Sequence, residues 1–217
     1  MKTKAYSDVF SKDKYKLLLL DMDGTLYYQR AMQFFMCLEM GAFTIMHPFS
    51  LWKLKVISIF RKVREQQKNG LLEKHYEIVA EVVGRSKEEV QTSIEEWMFA
   101  RPLKYLPKIK DDKLCSWINT WRAQEKKVVI YSDYPVRDKC EALQITADAL
   151  YSSDETRIGE MKPSAKGIQV ICDDYAVSPQ EILVIGDRMS RDGKMAENAG
   201  ADYVIVEKWK IMRKKRY

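Results

Sequence analysis

The stretch LLLLDMDGTL, residues 17–26, decides how the chain is read. Four consecutive leucines call for burial, and two carboxylates follow at once. Charge at the end of a buried run is costly unless something compensates it. A short apolar run bounded by turn residues reads as an interior strand of a parallel sheet. On an extended chain residues i and i+2 face the same way, so Asp21 and Asp23 leave the strand on one side. Gly24 permits a sharp turn there. Like charges this close repel, so a cation is their natural partner, and an oxygen-only donor set suits Mg²⁺.

Outward from this stretch, further short apolar runs read as strands: Val128 to Tyr131, Ile182 to Ile185, Tyr203 to Val206 and, more weakly, Ala149 to Ser152, with the first strand spanning Tyr15 to Leu20. Helical patterns lie between them. Leu114, Trp117, Ile118 and Trp121 recur at helical spacing and form one apolar face. Lys162-Pro163 is expected to open another helix, and Ser178 to Glu181 has capping-box spacing. A last helix is expected to run from Gly193 to Gly200. Strands alternating with helices predict an α/β fold with a doubly wound parallel sheet. The segment from Gln29 to about residue 105 breaks the alternation. It shows helical stretches, including a second capping box at Ser86 to Glu89, and no strand. It reads as a helical insert, residues 29–105, in a core made of residues 1–28 and 106–217.

Three more polar signals follow apolar strands. VVIYSDYP ends in Ser132 and Asp133, ILVIGDRMSRD ends in Asp187 with Asp192 five residues later, and GEMKP places Lys162 between them. In a parallel sheet these strand ends share the edge where ligands bind. Singly, Ser132 could be a turn residue, Lys162 solvated surface, and Asp187 and Asp192 helix caps. Four acids, a hydroxyl and an ammonium delivered to one edge argue for a site.

Taken together, DMDGTL, Ser132, Lys162 and GDRMSRD resemble the four motifs of the haloacid dehalogenase-like (HAD) hydrolase superfamily, and the insert sits where that family places a helical cap. The resemblance implies an enzyme that hydrolyses a phosphomonoester through an aspartyl-phosphate. Asp21 would be the nucleophile and Asp23 the acid and base, partly neutralised by its surroundings. Thr25, Ser132, Asp133 and Lys162 would hold phosphoryl oxygens. Mg²⁺ would be held by Asp21, Asp23 (through its backbone carbonyl), Asp187 and Asp192. The superfamily's dehalogenases lack an acid at the Asp23 position and need no metal. A phosphomutase would keep the same motifs, and a non-catalytic binding protein on this fold would be expected to have lost one. After GTL, helical-capped relatives often carry Asp followed by Ser or Thr. Here the chain reads YYQR, which implies a different pocket entrance.

Composition is compatible with this reading. In 217 residues, 46% hydrophobic and 31% charged side chains allow a sizeable core and a soluble surface. The net charge of +6 favours an anionic partner, such as a phosphate compound, a membrane surface or nucleic acid; the resemblance implies a small phosphorylated metabolite, with no nucleic acid expected. Four scattered cysteines without a C-x-x-C pair argue against zinc or a disulfide framework, and the polar N-terminus does not resemble a signal peptide. Both point to a cytoplasmic protein. The apolar stretch 32–60 is interrupted by Glu39, Pro48, Lys53 and Lys55, so no piece of it suffices to span a bilayer. It reads as helices packing on one another, or as an apolar face for an amphiphilic phosphate. The basic tail KWKIMRKKRY suggests weak contact with a membrane surface. His47 and His75 stand alone, without a partner motif.

Overall fold

The computed structural model describes residues 14–206; the basic tail and the membrane contact expected of it lie outside them. Five parallel strands form one sheet: β1 (Leu17–Leu20), β2 (Lys127–Ser132), β3 (Ala149–Ser152), β4 (Ile182–Gly186) and β5 (Asp202–Ile205), in the order β3-β2-β1-β4-β5. The four leucines are thus the central strand, with every side chain buried. The chain leaves β1 for β2 and β3 on one side and returns to β4 and β5 on the other. The reversal lies between β1 and β4, the position at which α/β sheets open a crevice at their carboxyl ends.

Alternation along the strands divides the core into two layers. Leu18 and Leu20 of β1 join Val128, Ile130, Leu183 and Ile185 on one face, while Leu17 and Leu19 join Val129, Tyr131, Ile182 and Val184 on the other. Helices cover both faces, as a sheet buried on both sides requires. The first face packs on α5 (Leu106–Ile109), α6 (Asp112–Arg122) and α7 (Arg137–Leu143), with Leu114, Ile118 and Trp121 of α6 supplying the expected apolar stripe. The second packs on α8 (Lys166–Tyr175) and α9 (Lys194–Ala199).

Between β1 and β2 the chain runs through α1 (Gln29–Met46), α2 (Trp52–Gln66), α3 (Leu72–Val83) and α4 (Lys87–Ile94), then a π turn over Glu95–Ala100 and a 3₁₀ turn over Arg101–Tyr105. α2, α3 and α4 enclose an apolar cluster of their own, built on Val56, Phe60, Tyr76, Val79, Val90 and Ile94. The Ser86–Glu89 capping box forms and starts α4. Among the described residues, the outward side of α1 and the turn after it carry most of the exposed large apolar side chains, from Phe34 and Leu38 to Phe49, which is 95% exposed. Among the described residues no helix is long and apolar enough to cross a membrane.

One sequence expectation is corrected. Lys162-Pro163 does not open a helix; α8 begins at Lys166. The Ser164 hydroxyl accepts from the Lys166 amide at 3.2 Å, so a local side-chain bond sets the start, and Lys162 is left in the preceding turn with its ammonium turned into the crevice.

Candidate active site

The carboxyl ends of β1, β2 and β4 lie side by side and bring the polar residues together. Asp21 follows β1, and its amide donates to the Ile185 carbonyl at 2.9 Å, which ties it to β4. Asp187 follows β4. Asp192 reaches the same place from a π turn over Met189–Gly193, its carboxylate accepting from the Arg188 amide at 3.1 Å. One oxygen from each of Asp21, Asp187 and Asp192 lies within 4.8 Å of the other two. Two glycines make this approach possible. A Cβ on Gly186 would stand 2.2 Å from the Asp192 carboxyl carbon, and one on Gly24, where φ is +89°, would stand 2.2 Å from Asp187 Oδ2. Gly24→Ala is therefore expected to strain the turn and displace Asp187. Mg²⁺ affinity should fall at least about tenfold, measured by calorimetric titration of the folded variant.

Lys162 is the cation inside the cluster. Its Nζ donates to Asp21 Oδ1 at 2.6 Å, to Asp192 Oδ1 at 2.7 Å and to the Tyr131 carbonyl at 3.0 Å, and the side chain is 2% exposed. Burial opposes its charge, but Asp192 and Asp21 outweigh burial and hold its pKa above the ordinary value. Burial pushes the Asp21 carboxyl up to about 8, against the pull of Lys162 and with the push of Asp192 and Asp187. Burial and Asp192 likewise push Asp187 up to about 6. Burial opposes ionisation of Asp192, yet Lys162 keeps it below its ordinary value. Asp187 Oδ1 is buried without a hydrogen-bond partner. Three converging carboxylates, one with an orphaned oxygen, form a hard oxygen donor set that fits a small divalent cation.

Asp23 points elsewhere, into the crevice. Lys139 Nζ donates to both its oxygens, at 2.6 and 2.9 Å; the Tyr27 hydroxyl donates to one of them, and Ser132 Oγ lies 3.4 Å from the other. Burial would raise this carboxyl, but the Lys139 charge and these hydrogen bonds hold it below its ordinary value. The expected neutralisation of Asp23 thus comes from a neighbouring ammonium rather than from a bound proton.

Thr25 and Asp133 stand behind the reacting groups. Thr25 is fully covered and donates to Asp21 Oδ2 at 3.0 Å. Asp133 Oδ1 accepts from Ser153 Oγ and from the Lys162 backbone amide, each at 2.9 Å, and so holds the loop that carries the lysine. Ser132 Oγ accepts from the Tyr134 amide at 3.2 Å. Sequence reasoning missed Lys139 and Tyr27. Tyr27 is part of the YYQR departure, four residues after Asp23. Lys139 sits in the first turn of α7, seven residues beyond Ser132, and a lysine opening the helix after a site-bearing strand was the available signal.

A cavity of about 510 Å³ opens from this edge, lined on the sheet side by Asp23, Asp133, Lys139 and Asp187 and on the helical side by α1, α2 and the π turn.

The family model for haloacid dehalogenase-like hydrolase matches residues 15–200. No curated protein sequence matches the chain. Among solved structures, the fold is similar to that of 2-haloacid dehalogenase from Pseudomonas syringae pv. Tomato DC3000, with a TM-score of 0.63 and 15% identity over 88% of this chain and 86% of that chain. It is also similar to a HAD-hydrolase from Bacillus subtilis bound to magnesium, with a TM-score of 0.55 and 14% identity over 87% and 85%. A HAD family enzyme from Bacteroides thetaiotaomicron, in complex with magnesium and inorganic phosphate, gives 0.52 and 16% over 90% and 97%. At these identities the likeness is one of fold. With the family model spanning four of the five strands and the whole helical segment, the chain belongs to the haloacid dehalogenase-like hydrolases.

Proposed function

We propose that this hydrolase is a Mg²⁺-dependent phosphatase of a small phosphomonoester, working through a phosphoryl group held on Asp21. The observation that carries the reading is the separation of two acidic sets at one edge. Asp21, Asp187 and Asp192 converge as a cation site, while Asp23, two residues from Asp21, faces the crevice with Lys139 on both oxygens. A dehalogenase of this family would need no metal and no acid at the Asp23 position.

Asp21, Asp187 and Asp192 would hold the metal, with the Asp23 carbonyl completing the protein's share. Bound there, Mg²⁺ would supply charge against the phosphoryl oxygens. The chain's own groups do the rest. Lys162 holds the Asp21 carboxylate in one orientation and offsets its repulsion from an incoming phosphate. Asp21 attacks phosphorus, the ester bond breaks, and the leaving oxygen takes a proton that Asp23 has accepted from the monoanionic ester as it binds. Asp23, ionised again beside Lys139, then takes a proton from the water that cleaves the acyl phosphate. Transfer by such a placed group is worth about 10²–10⁴-fold. The helical segment 29–105 acts as the cap, excluding bulk water while the phosphoryl group is on the enzyme.

The test is release of inorganic phosphate from a panel of small phosphomonoesters by the purified chain. Release should require Mg²⁺, stop on chelation and return when the metal is restored. Phosphate retained on the organic product would indicate a mutase instead. Turnover unaffected by chelation would reject the metal role.

A further inference from the structure

The cavity wall holds more positive charge than a phosphoryl group in transit needs. Six basic side chains line it against four acidic ones. Several of the six are accounted for. Lys139 is taken by Asp23. Arg188 lies 3.8 Å from Asp187, and Arg191 donates to the backbone carbonyls of Lys162 and Glu65. The two on α2, Arg61 and Arg64, are not matched in this way. They are three residues apart and share one face of the helix. Arg61 is exposed, lines the cavity and has no ion pair among the described residues.

Arg64 is the more telling of the two. It is fully covered, yet no carboxylate is among its hydrogen-bond partners. A guanidinium has five N–H donors. Nη1 donates to the Gly70 carbonyl at 3.2 Å and to His75 Nδ1 at 2.8 Å, and Nη2 donates to the Asp133 carbonyl. That leaves Nε–H, which has no partner, and one N–H on Nη2. Burial and the Arg64 charge push His75 down to about 4, so its ring stays neutral: it accepts from Arg64 but supplies no negative charge to it. Two rings flank the guanidinium: Phe60, inside the helical segment's own core, and Tyr134, 4.7 Å away. Tyr134 lines the cavity, so a ligand would approach from its side. The pattern extends beyond this residue. Of the six buried side-chain atoms without a partner among the described residues, four belong to cavity-lining residues: Arg64, Trp97, Gln29 and Asp187.

We propose that the alcohol part of the substrate carries a second anionic group, a carboxylate or a phosphate, and that Arg61 and Arg64 receive it. The inference rests on the phosphatase reading above and names its substrate class. Arg61 makes the exposed contact. Arg64 gives a fixed charge behind it and the unused N–H pair, reached as the Tyr134 ring turns aside; planar forks of this kind suit carboxylate and phosphate oxygens. Between the two anionic ends the wall is apolar, with Met32 and Met36 from α1 and Met98 and Phe99 from the π turn. Flexible thioethers line such a wall without fixing one shape. The connecting part of the substrate is therefore a short, largely apolar chain or ring.

The deciding experiment compares n-alkyl phosphates of two to six carbons with ω-carboxyalkyl phosphates and α,ω-alkane bisphosphates of equal length. One charged series should exceed its neutral counterpart at least about tenfold in kcat/KM, and which series does so identifies the anion. Arg61→Ala, an exposed substitution, should bring that ratio close to one. Equal turnover of charged and neutral esters, or a ratio that survives Arg61→Ala, would overturn the inference. If no ester is hydrolysed, the phosphatase reading fails, and calorimetry on Asp21→Asn protein still decides the subsite. Tighter binding of a charged ester than of its n-alkyl partner supports it; equal binding overturns it.

Discussion

Asp21→Asn is expected to lower turnover of any phosphomonoester at least about 10⁴-fold while the protein stays folded. The amide keeps the shape of the carboxyl and an oxygen for Lys162, which also retains Asp192 and the Tyr131 carbonyl. What is lost is the anionic oxygen that attacks phosphorus. Stability should move the other way. Burial pushes Asp21 up to about 8, so without metal its ionised form is held at a cost, and the folded chain binds more protons than the unfolded one between the ordinary carboxylate pKa and that value. Wild-type stability contributed by this group is present at acid pH and lost as pH rises. The variant should therefore gain in melting temperature relative to wild type as pH is raised from about 4 to about 8 in chelator. Melting scans at several pH values, beside phosphate-release assays, check both halves. A variant with near-wild-type turnover would remove Asp21 from the chemistry.

Lys162→Met should lower turnover at least about 10³-fold and, in chelator, destabilise the fold by about 3–5 kcal/mol. The lysine is 2% exposed and sits between Asp21 and Asp192 at 2.6 and 2.7 Å. Removing it leaves clustered carboxylates offset only by the Thr25 hydroxyl, the Arg188 amide and the half-exposed Arg188 side chain 3.8 Å from Asp187. Because burial works against its charge and the two aspartates more than restore it, the loss persists across neutral pH. Mg²⁺ should return a larger part of the stability to the variant than it adds to wild type, since a cation between the same carboxylates replaces some of the lost attraction. Denaturant titrations with and without Mg²⁺ measure the difference. An equal metal effect on both proteins would show that Lys162 and the cation do not act on shared carboxylates.

The sheet was legible in the sequence because its three central strands are buried on both faces. Runs such as Leu17–Leu20 and Ile182–Ile185 admit few other readings, and even the weaker Ala149–Ser152 takes its place at the edge. Capping chemistry was equally readable at Ser86 and Ser178, where the spacing alone specifies reciprocal bonds. The start of α8 was not, because a proline after Lys162 fits a helix opening and a turn alike, and Ser164 decides between them. In the site, residues that directly follow strand ends could be placed by topology. Lys139, Tyr27, Arg61 and Arg64 could not. Tyr27 lies on the turn leading into α1, and the other three lie on helices, where the three-dimensional angle of α2 and α7 over the crevice brings them to it. The positions assigned to Thr25 and Asp133 show the same limit, since spacing brings a group near a site without saying which way its oxygen points.

The most direct measurement is to mix the protein with a radiolabelled phosphomonoester that it turns over, quench within milliseconds, and map the label by peptide mass spectrometry. A phosphoryl group on the peptide containing Asp21, absent in Asp21→Asn and when chelator is present, is the expected result. Rapid hydrolysis with no label on that peptide at any quench time, or label on another side chain, would contradict it.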